Sequence, residues 1–426
     1  MTALAVAGGI HVTWPGRGPV RGDDLAAPEV REDGLLLADD DGFVAGDDAA
    51  GADETLDATG CVVVPGFVDC HTHLPFLGWR ADEDAARLSG VSYESLHRGE
   101  PAARAGGASG RGGIFRSARL LADASDDEVL DFSRGLAAQM LRAGTTTFET
   151  KSGYGLSVEG ELRQLRLARE LRRTVRQHVT TTCLAAHAVP PGRSEGEWVG
   201  IAAEELLPAV SSEGLAGACD LYVETIAFAL EHAARLNEVA RSLGMRMRVH
   251  ADQLSDGQTG AFAARWGFDT ADHLNHASTF AVGDLAQSDT VAVLLPGATF
   301  TLRQRSKPPA RDLLSRGAIV ALGTDLNPGT SPVHSMPFVI ALACRLYGFR
   351  PVEALAAATV NGAAALGLED RVGRLAPGYR ADAVVLDLAS PDHVAYRPDH
   401  NPVAAVVCEG RVAHVAEGHE RRLKRG

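Results

Sequence analysis

The sequence predicts an α/β chain: a (β/α)8 TIM-type barrel with a small β-sandwich domain built from the N- and C-terminal segments. Three observations predict it. Eight short β segments recur through the middle of the chain with helical stretches between most of them, and right-handed βαβ repetition of that number closes a barrel. The two ends share a different texture, short apolar strands separated by Asp- and Gly-rich turns. No G-x-G-x-x-G or P-loop follows any strand, so the rival open doubly wound sheet lacks its signature.

Residues 1–64 and 374–426 are expected to form the small β domain, and residues 65–373 the barrel. Near the start, Gly34-Leu-Leu-Leu-Ala and Cys61-Val-Val-Val are short apolar strands. Ala381-Asp-Ala-Val-Val-Leu-Asp and Val403-Ala-Ala-Val-Val-Cys-Glu-Gly repeat the texture at the far end, so the two ends pair into one module. The barrel strands are expected within Val62–His73, Thr145–Lys151, Val179–Val189, Asp220–Phe228, Met245–Gln253, Thr270–His276, Thr290–Ala298 and Ile319–Asn327. Between them, Leu162, Leu165, Ala168 and Leu171 line one face of a helix that follows Ser157. Leu230, Ala233, Val239 and Leu243 line another, stopped by Gly244, and Pro351 opens a third that ends near Gly367. The small, basic stretch Glu100–Gly113 departs from this texture and reads as a loop over the barrel mouth.

The chain has 426 residues, 45% hydrophobic and 23% charged, an ordinary globular balance with material for a large core. Lys and Arg total 41 against 55 Asp and Glu, a net charge of −14. That field repels phosphate backbones and anionic membrane surfaces, so neither nucleic acid nor membrane is an expected partner. An anionic small-molecule substrate would need a locally placed cation. Met1–Val12 lacks the charged region and cleavage site of a leader, and no apolar run reaches the roughly 18 residues of a membrane span. Cys61, Cys70, Cys183, Cys219, Cys344 and Cys408 stand far apart without a C-x-x-C pair. They read as reduced thiols of a cytoplasmic protein.

Candidate chemistry starts at His71-Thr-His73. Alternation along a strand throws both imidazoles to one side, as a shared metal requires. Chance alone supplies about half of one such pair in a chain with 15 histidines. Position raises the signal, because the pair closes an apolar run at the C-terminal end of a strand, where barrels carry their sites. His187, His250, His273 and Asp325 stand at four other strand ends. Three imidazoles and a carboxylate on one rim suit Zn or Fe with a position open for water.

The segment Val63-Val-Pro-Gly-Phe-Val-Asp-Cys-His-Thr-His, a later lone His and the strand-terminal Asp325 resemble the metal-dependent amidohydrolases. Glu149-Thr-Lys-Ser-Gly-Tyr-Gly155, Ala186-His-Ala-Val-Pro-Pro191, Val249-His-Ala-Asp-Gln253, Ala271-Asp-His-Leu274, Val293-Leu-Leu-Pro-Gly297 and Thr324-Asp-Leu-Asn-Pro-Gly-Thr-Ser-Pro332 narrow the match. In that order they resemble the imidazolonepropionase family, from roughly Val63 to Gly378.

The resemblance implies that His71, His73, His250 and Asp325 bind one divalent metal, Zn or Fe. It implies that Arg80 grips a substrate propionate, the local cation that the charge balance asks for. Tyr154, His187 and Gln253 match substrate contacts. Asn327, Gly329 and Thr330 match contacts to the substrate or its ring-opened product. His187 is expected to stabilise an oxyanion, and His273 and Asp325 to accept and shuttle the proton of a metal-activated water. The implied activity is hydrolysis of the cyclic amide of 4-imidazolone-5-propanoate to N-formimidoyl-L-glutamate in histidine degradation. A homodimer is the family-level expectation.

Some positions depart from the family's pattern. Gln253 stands where some relatives carry Glu, and an amide orients by hydrogen bonds without transferring a proton. Trp79 is bulky beside Arg80, and Glu100–Arg111 resembles an insertion. Lys151 belongs with a mononuclear pattern and stays outside the site. Two alternatives accompany this reading: an amidohydrolase or deaminase acting on another small carboxylate-bearing cyclic amide or amidine, and a non-catalytic scaffold barrel.

Overall fold

A computed structural model describes residues 4–99 and 112–425; the expected loop residues Glu100–Arg111 lie outside them. Eight parallel strands form the barrel: Phe67–Asp69, Thr145–Lys151, His178–Ala186, Ala218–Leu221, Arg246–Ala251, Thr270–His273, Val291–Leu294 and Val320–Leu322. They pair in sequence order. The seam between the eighth and the first is closed just beyond both strands, where Asp325 N–H donates to His71 O and His73 N–H donates to Leu326 O, both at 2.9 Å.

Most strands alternate with helices whose apolar faces pack onto them. Val158–Thr174 buries Leu162, Leu165, Ala168 and Leu171, and its N-cap Ser157 accepts from Gly160 N–H. Leu230–Ser242 buries Ala233 and Leu236, while Val239 and Leu243 are only partly covered. The stretch opened by Pro351 is two helices, Pro351–Ala357 and Val360–Leu366, because Thr359 leaves helical geometry between them.

The flanking strands form two sheets. One contains Leu423–Arg425, Glu54–Asp57, Leu4–Ala7, Leu35–Asp39 and Gly42–Val44. The other contains Arg411–Val415, Val403–Cys408, Ala383–Leu386, Val62–Pro65, Ile10–Thr13 and Glu29–Arg31. Strand alternation explains their continuous Val runs. Val63, Val385 and Val407 face the first sheet, whereas Val62, Val64, Val384 and Val406 join the barrel core.

Two expectations need correcting in detail. Val62–His73 is two strands, not one: the chain changes sheet at Gly66, where a β-carbon would collide with Thr146. The fifth, sixth and eighth segments end earlier than expected because Asp252, His273, Leu274 and Asp325 have φ of 50°, 78°, 60° and 55°. Left-handed backbone cannot continue a β-ladder.

Candidate functional site

The strand ends carry the chemistry to one rim. His71 and His73 follow the first strand, His250 lies in the fifth, His273 ends the sixth, and Asp325 follows the eighth. All five are at most 3% exposed. Asp325 Oδ1 lies 3.2 Å from His73 Nε2 and 3.6 Å from His71 Nε2, and these two nitrogens are 3.3 Å apart. The His71 ring is 4.7 Å from that of His250, which is 5.3 Å from that of His273. Burial, and the neighbouring cations and imidazoles, hold His71 well below its ordinary range, and burial pushes His273 down to about 3. Neutral imidazole is the form that ligates metal.

Three observations test whether a divalent metal fits. The donor atoms of His71, His73 and Asp325, and those of His71, His250 and His273, each lie within 4.8 Å of one another. His250 Nε2 is buried without a hydrogen-bond partner, while its Nδ1 lies 3.2 Å from Asp220 Oδ1. In the surrounding network, the carboxylates Glu149, Asp220 and Asp272 face the cations Lys151 and Arg248 while Asp325 faces imidazoles, four carboxylates against two cations and an excess of two negative charges. The residues fit a divalent cation. Asp69 stands apart: burial pushes it up to about 7, against two hydrogen bonds from Thr324.

Asp325 and His273 occupy the left-handed region, which costs a non-glycine residue about 1–3 kcal/mol. Strand pairing to His71 O holds Asp325 there, aiming its carboxylate at the imidazoles and not along the barrel wall.

A cavity of about 30 Å³ opens on this cluster, lined by His73, Arg80, Tyr93, Ile114, Tyr154, His187, Tyr222, His250, Gln253, His273, Asp325, Asn327 and Thr330. Arg80 is 2% exposed, and its Nε and Nη1 have no hydrogen-bond partner. Glu83 is near but loosely placed, at 3.8 Å. The guanidinium therefore keeps unpartnered donors that suit a carboxylate.

His187 is oriented by Gly153, whose carbonyl lies 3.0 Å from Nδ1. A carbonyl only accepts, so Nδ1 carries the hydrogen. Burial and the adjacent His73 and His250 hold the ring neutral. Nε2 is then an acceptor toward the cavity, not the donor that oxyanion stabilisation requires.

The loop residues divide by task. Asn327 Oδ1 accepts from Gly329 and Thr330 N–H, and its Nδ2 donates to Asp325 O and Thr330 Oγ1. It shapes the loop with both ends of its amide. Gly329 does not line the cavity; it lies against the Arg80 guanidinium. Trp79 also stays off the cavity, edge-on to Phe76 and Phe132 with centroids 5.5 and 5.7 Å away.

Tyr93, Ile114 and Tyr222 line the cavity without having been singled out in the sequence. Tyr93 and Ile114 lie on separate helices, Tyr93–Arg98 and Ile114–Asp123, so no spacing signal links them. Tyr222 had one available signal: it directly follows the fourth barrel strand, at the rim.

The barrel, the rim and the cluster of imidazoles with a carboxylate define a hydrolase of the amidohydrolase class acting on carbon–nitrogen bonds. Residues 62–413 match the amidohydrolase family. An imidazolonepropionase of Symbiobacterium thermophilum is 43% identical over 431 residues, covering 98% of each chain. That of Cupriavidus pinatubonensis is 43% identical over 86% of this chain and 84% of its own. The chain belongs to the amidohydrolase family and, within it, to the imidazolonepropionases. Solved structures support the fold: a zinc-bound adenosine deaminase from Xanthomonas campestris superimposes with TM-score 0.69 at 18% identity, covering 97% of this chain and 93% of that one. Guanine deaminase of E. coli gives 0.66 at 17%, covering 97% and 99%.

Proposed function

We propose that the protein hydrolyses the ring amide of 4-imidazolone-5-propanoate to N-formimidoyl-L-glutamate. The observation that carries this reading is Arg80: a buried guanidinium with unpartnered donors shares one small cavity with the imidazole–carboxylate cluster. Such a site suits a short substrate with a carboxylate at one end and a reactive ring at the other.

His71, His73, His250 and Asp325 would hold one divalent ion, Zn or Fe. When bound, that ion supplies an acidified water and polarises the ring carbonyl. The remaining work falls to the chain. Arg80 grips the propionate with its guanidinium and fixes the ring's distance from the rim. Tyr154 packs between His73 and His187, with centroids 6.1 and 5.4 Å away, and walls the ring. His187 Nε2 accepts a ring N–H and so selects the ring's orientation. Gln253 adds an amide contact. Asp325 accepts the proton of the attacking water. His273 helps pass that proton to the leaving nitrogen as the new C–O bond forms and the C–N bond breaks.

The reading is tested with substrate generated in place from urocanate, because it is short-lived. Ring absorbance should disappear as formimidoyl-glutamate accumulates, and Arg80→Met should raise KM by about tenfold or more. A metal-loaded protein that leaves the ring intact would overturn the substrate assignment.

A further inference from the structure

Below the cavity, five charged side chains are sealed inside the barrel. Glu149, Lys151, Asp220, Arg248 and Asp272 are each at most 2% exposed, and none lines the cavity shared by Arg80 and the imidazoles. They form two chains that lead upward. Arg248 Nη2 lies 3.2 Å from Asp272 Oδ2, which lies 2.6 Å from His71 Nδ1. Lys151 Nζ lies 2.9 Å from Asp220 Oδ2, while Asp220 Oδ1 lies 3.2 Å from His250 Nδ1. Glu149 joins the two at their base, 2.6 Å from Lys151 Nζ and 3.7 Å from Arg248 Nε.

A carboxylate that accepts from Nδ1 leaves Nε2 with its lone pair bare, and the ring cannot turn without breaking that bond. In a dry interior the carboxylate itself needs an anchor, and a cation supplies one: Lys151 on the far oxygen of Asp220, and Arg248 on the same Asp272 Oδ2 that meets His71. Arg248 is itself held by the backbone, donating to Ala365 O at 3.1 Å and Cys70 O at 2.8 Å. Lys151 is held between two carboxylates, which leaves no free amine to become a bridging metal ligand.

We infer that Lys151 and Arg248 are positioning residues for the metal centre, Lys151 acting through Asp220 on His250 and Arg248 acting through Asp272 on His71. The inference rests on the proposed metal site. Each cation keeps a carboxylate in accepting geometry, and each carboxylate points one Nε2 at the ion. The two arms serve different ligands, so their losses should multiply.

The test is the zinc dissociation constant of the full chain, measured by chelator competition without substrate. Lys151→Met and Arg248→Met should each weaken zinc by about 10–100-fold, and the double variant by close to the product. Lys151→Arg and Arg248→Lys, which keep the charge, should recover most of the affinity. Unchanged zinc affinity in folded Met variants, with only the apo Tm lowered, would overturn the inference in favour of a structural role. If the Met variants do not fold, the nitrogen-15 imidazole shifts of the intact apo chain decide: Nδ1–H tautomers at His71 and His250 support it, and Nε2–H tautomers overturn it. Failure of the wild-type chain to bind zinc or iron would instead overturn the metal reading itself.

Discussion

Gly329 and Arg80 fit together so closely that a β-carbon on the glycine would overlap the guanidinium. The loop after Asp325 is thus the seat of the cation that the substrate reading depends on. Arg80 N–H also donates to Pro328 O at 2.9 Å, so backbone and side chain are both registered against this loop. Gly329→Ala should push the guanidinium out of its seat. The expected result is a KM raised by about tenfold, with a smaller change in kcat, in steady-state kinetics. An unchanged KM would show that Arg80 does not bind the carboxylate.

On the proposed reading, Asp325 both holds the ion and takes the water's proton. Asp325→Asn should lower kcat by at least about a thousandfold and reduce bound metal, read by elemental analysis of the purified protein. Full activity in this variant would remove Asp325 from the reaction.

Chelation should have a thermodynamic consequence besides lost turnover. A ligand that binds only the folded state stabilises it by about 2.7 kcal/mol at a hundred times its Kd. Treatment with a strong chelator is therefore expected to lower Tm, with recovery on adding Zn or Fe. An unchanged Tm at saturating metal would contradict a metal built into the fold.

His178 offers a pH effect remote from the site, at the opposite end of the third strand. Burial, then Arg380, Arg172 and Arg371, push it down to about 4. Above the unfolded value of about 6.5 both states are neutral and the residue contributes no pH dependence. As pH falls from there toward 4, only the unfolded chain takes up the proton, so stability declines across that window. His178→Gln should flatten this part of a Tm-against-pH curve, and identical curves would contradict it.

Arg374 ties the N-terminal segment to the end of the barrel. It is 2% exposed and donates to the carbonyls of Trp14, Glu369 and Gly18. Arg374→Met strands those acceptors and should cost about 2–4 kcal/mol, measured by urea unfolding. A loss below about 0.5 kcal/mol would mean that water replaces the guanidinium.

Much of the polar cluster was legible because each member stands at the end of an apolar run. His71, His73, His250, His273 and Asp325 are marked by strand periodicity and by the rule that barrels work at their C-terminal rim. The family resemblance then named roles. The tautomer of His187 was not legible, since it depends on a bond to the carbonyl of Gly153, 34 positions earlier. The loop bonds of the Asn327 amide, which lines the cavity, were not legible either. Tyr93 and Ile114 reach the cavity from helices that the sequence pattern left unremarked.

Local rules of backbone and side chain act over a few residues, and they are enough to specify eight strand-and-helix units, two β-rich ends and a set of polar strand ends. They act without reference to distant partners, so they are written directly in the order of amino acids. Which polar residue meets which is set by closure of the barrel. Only closure brings Asp272 to His71 across 201 positions, buries Lys151 between Glu149 and Asp220, and presses Gly329 against Arg80. Those pairings exist because a dry interior tolerates a charge only beside its counter-charge, and that demand is settled in three dimensions.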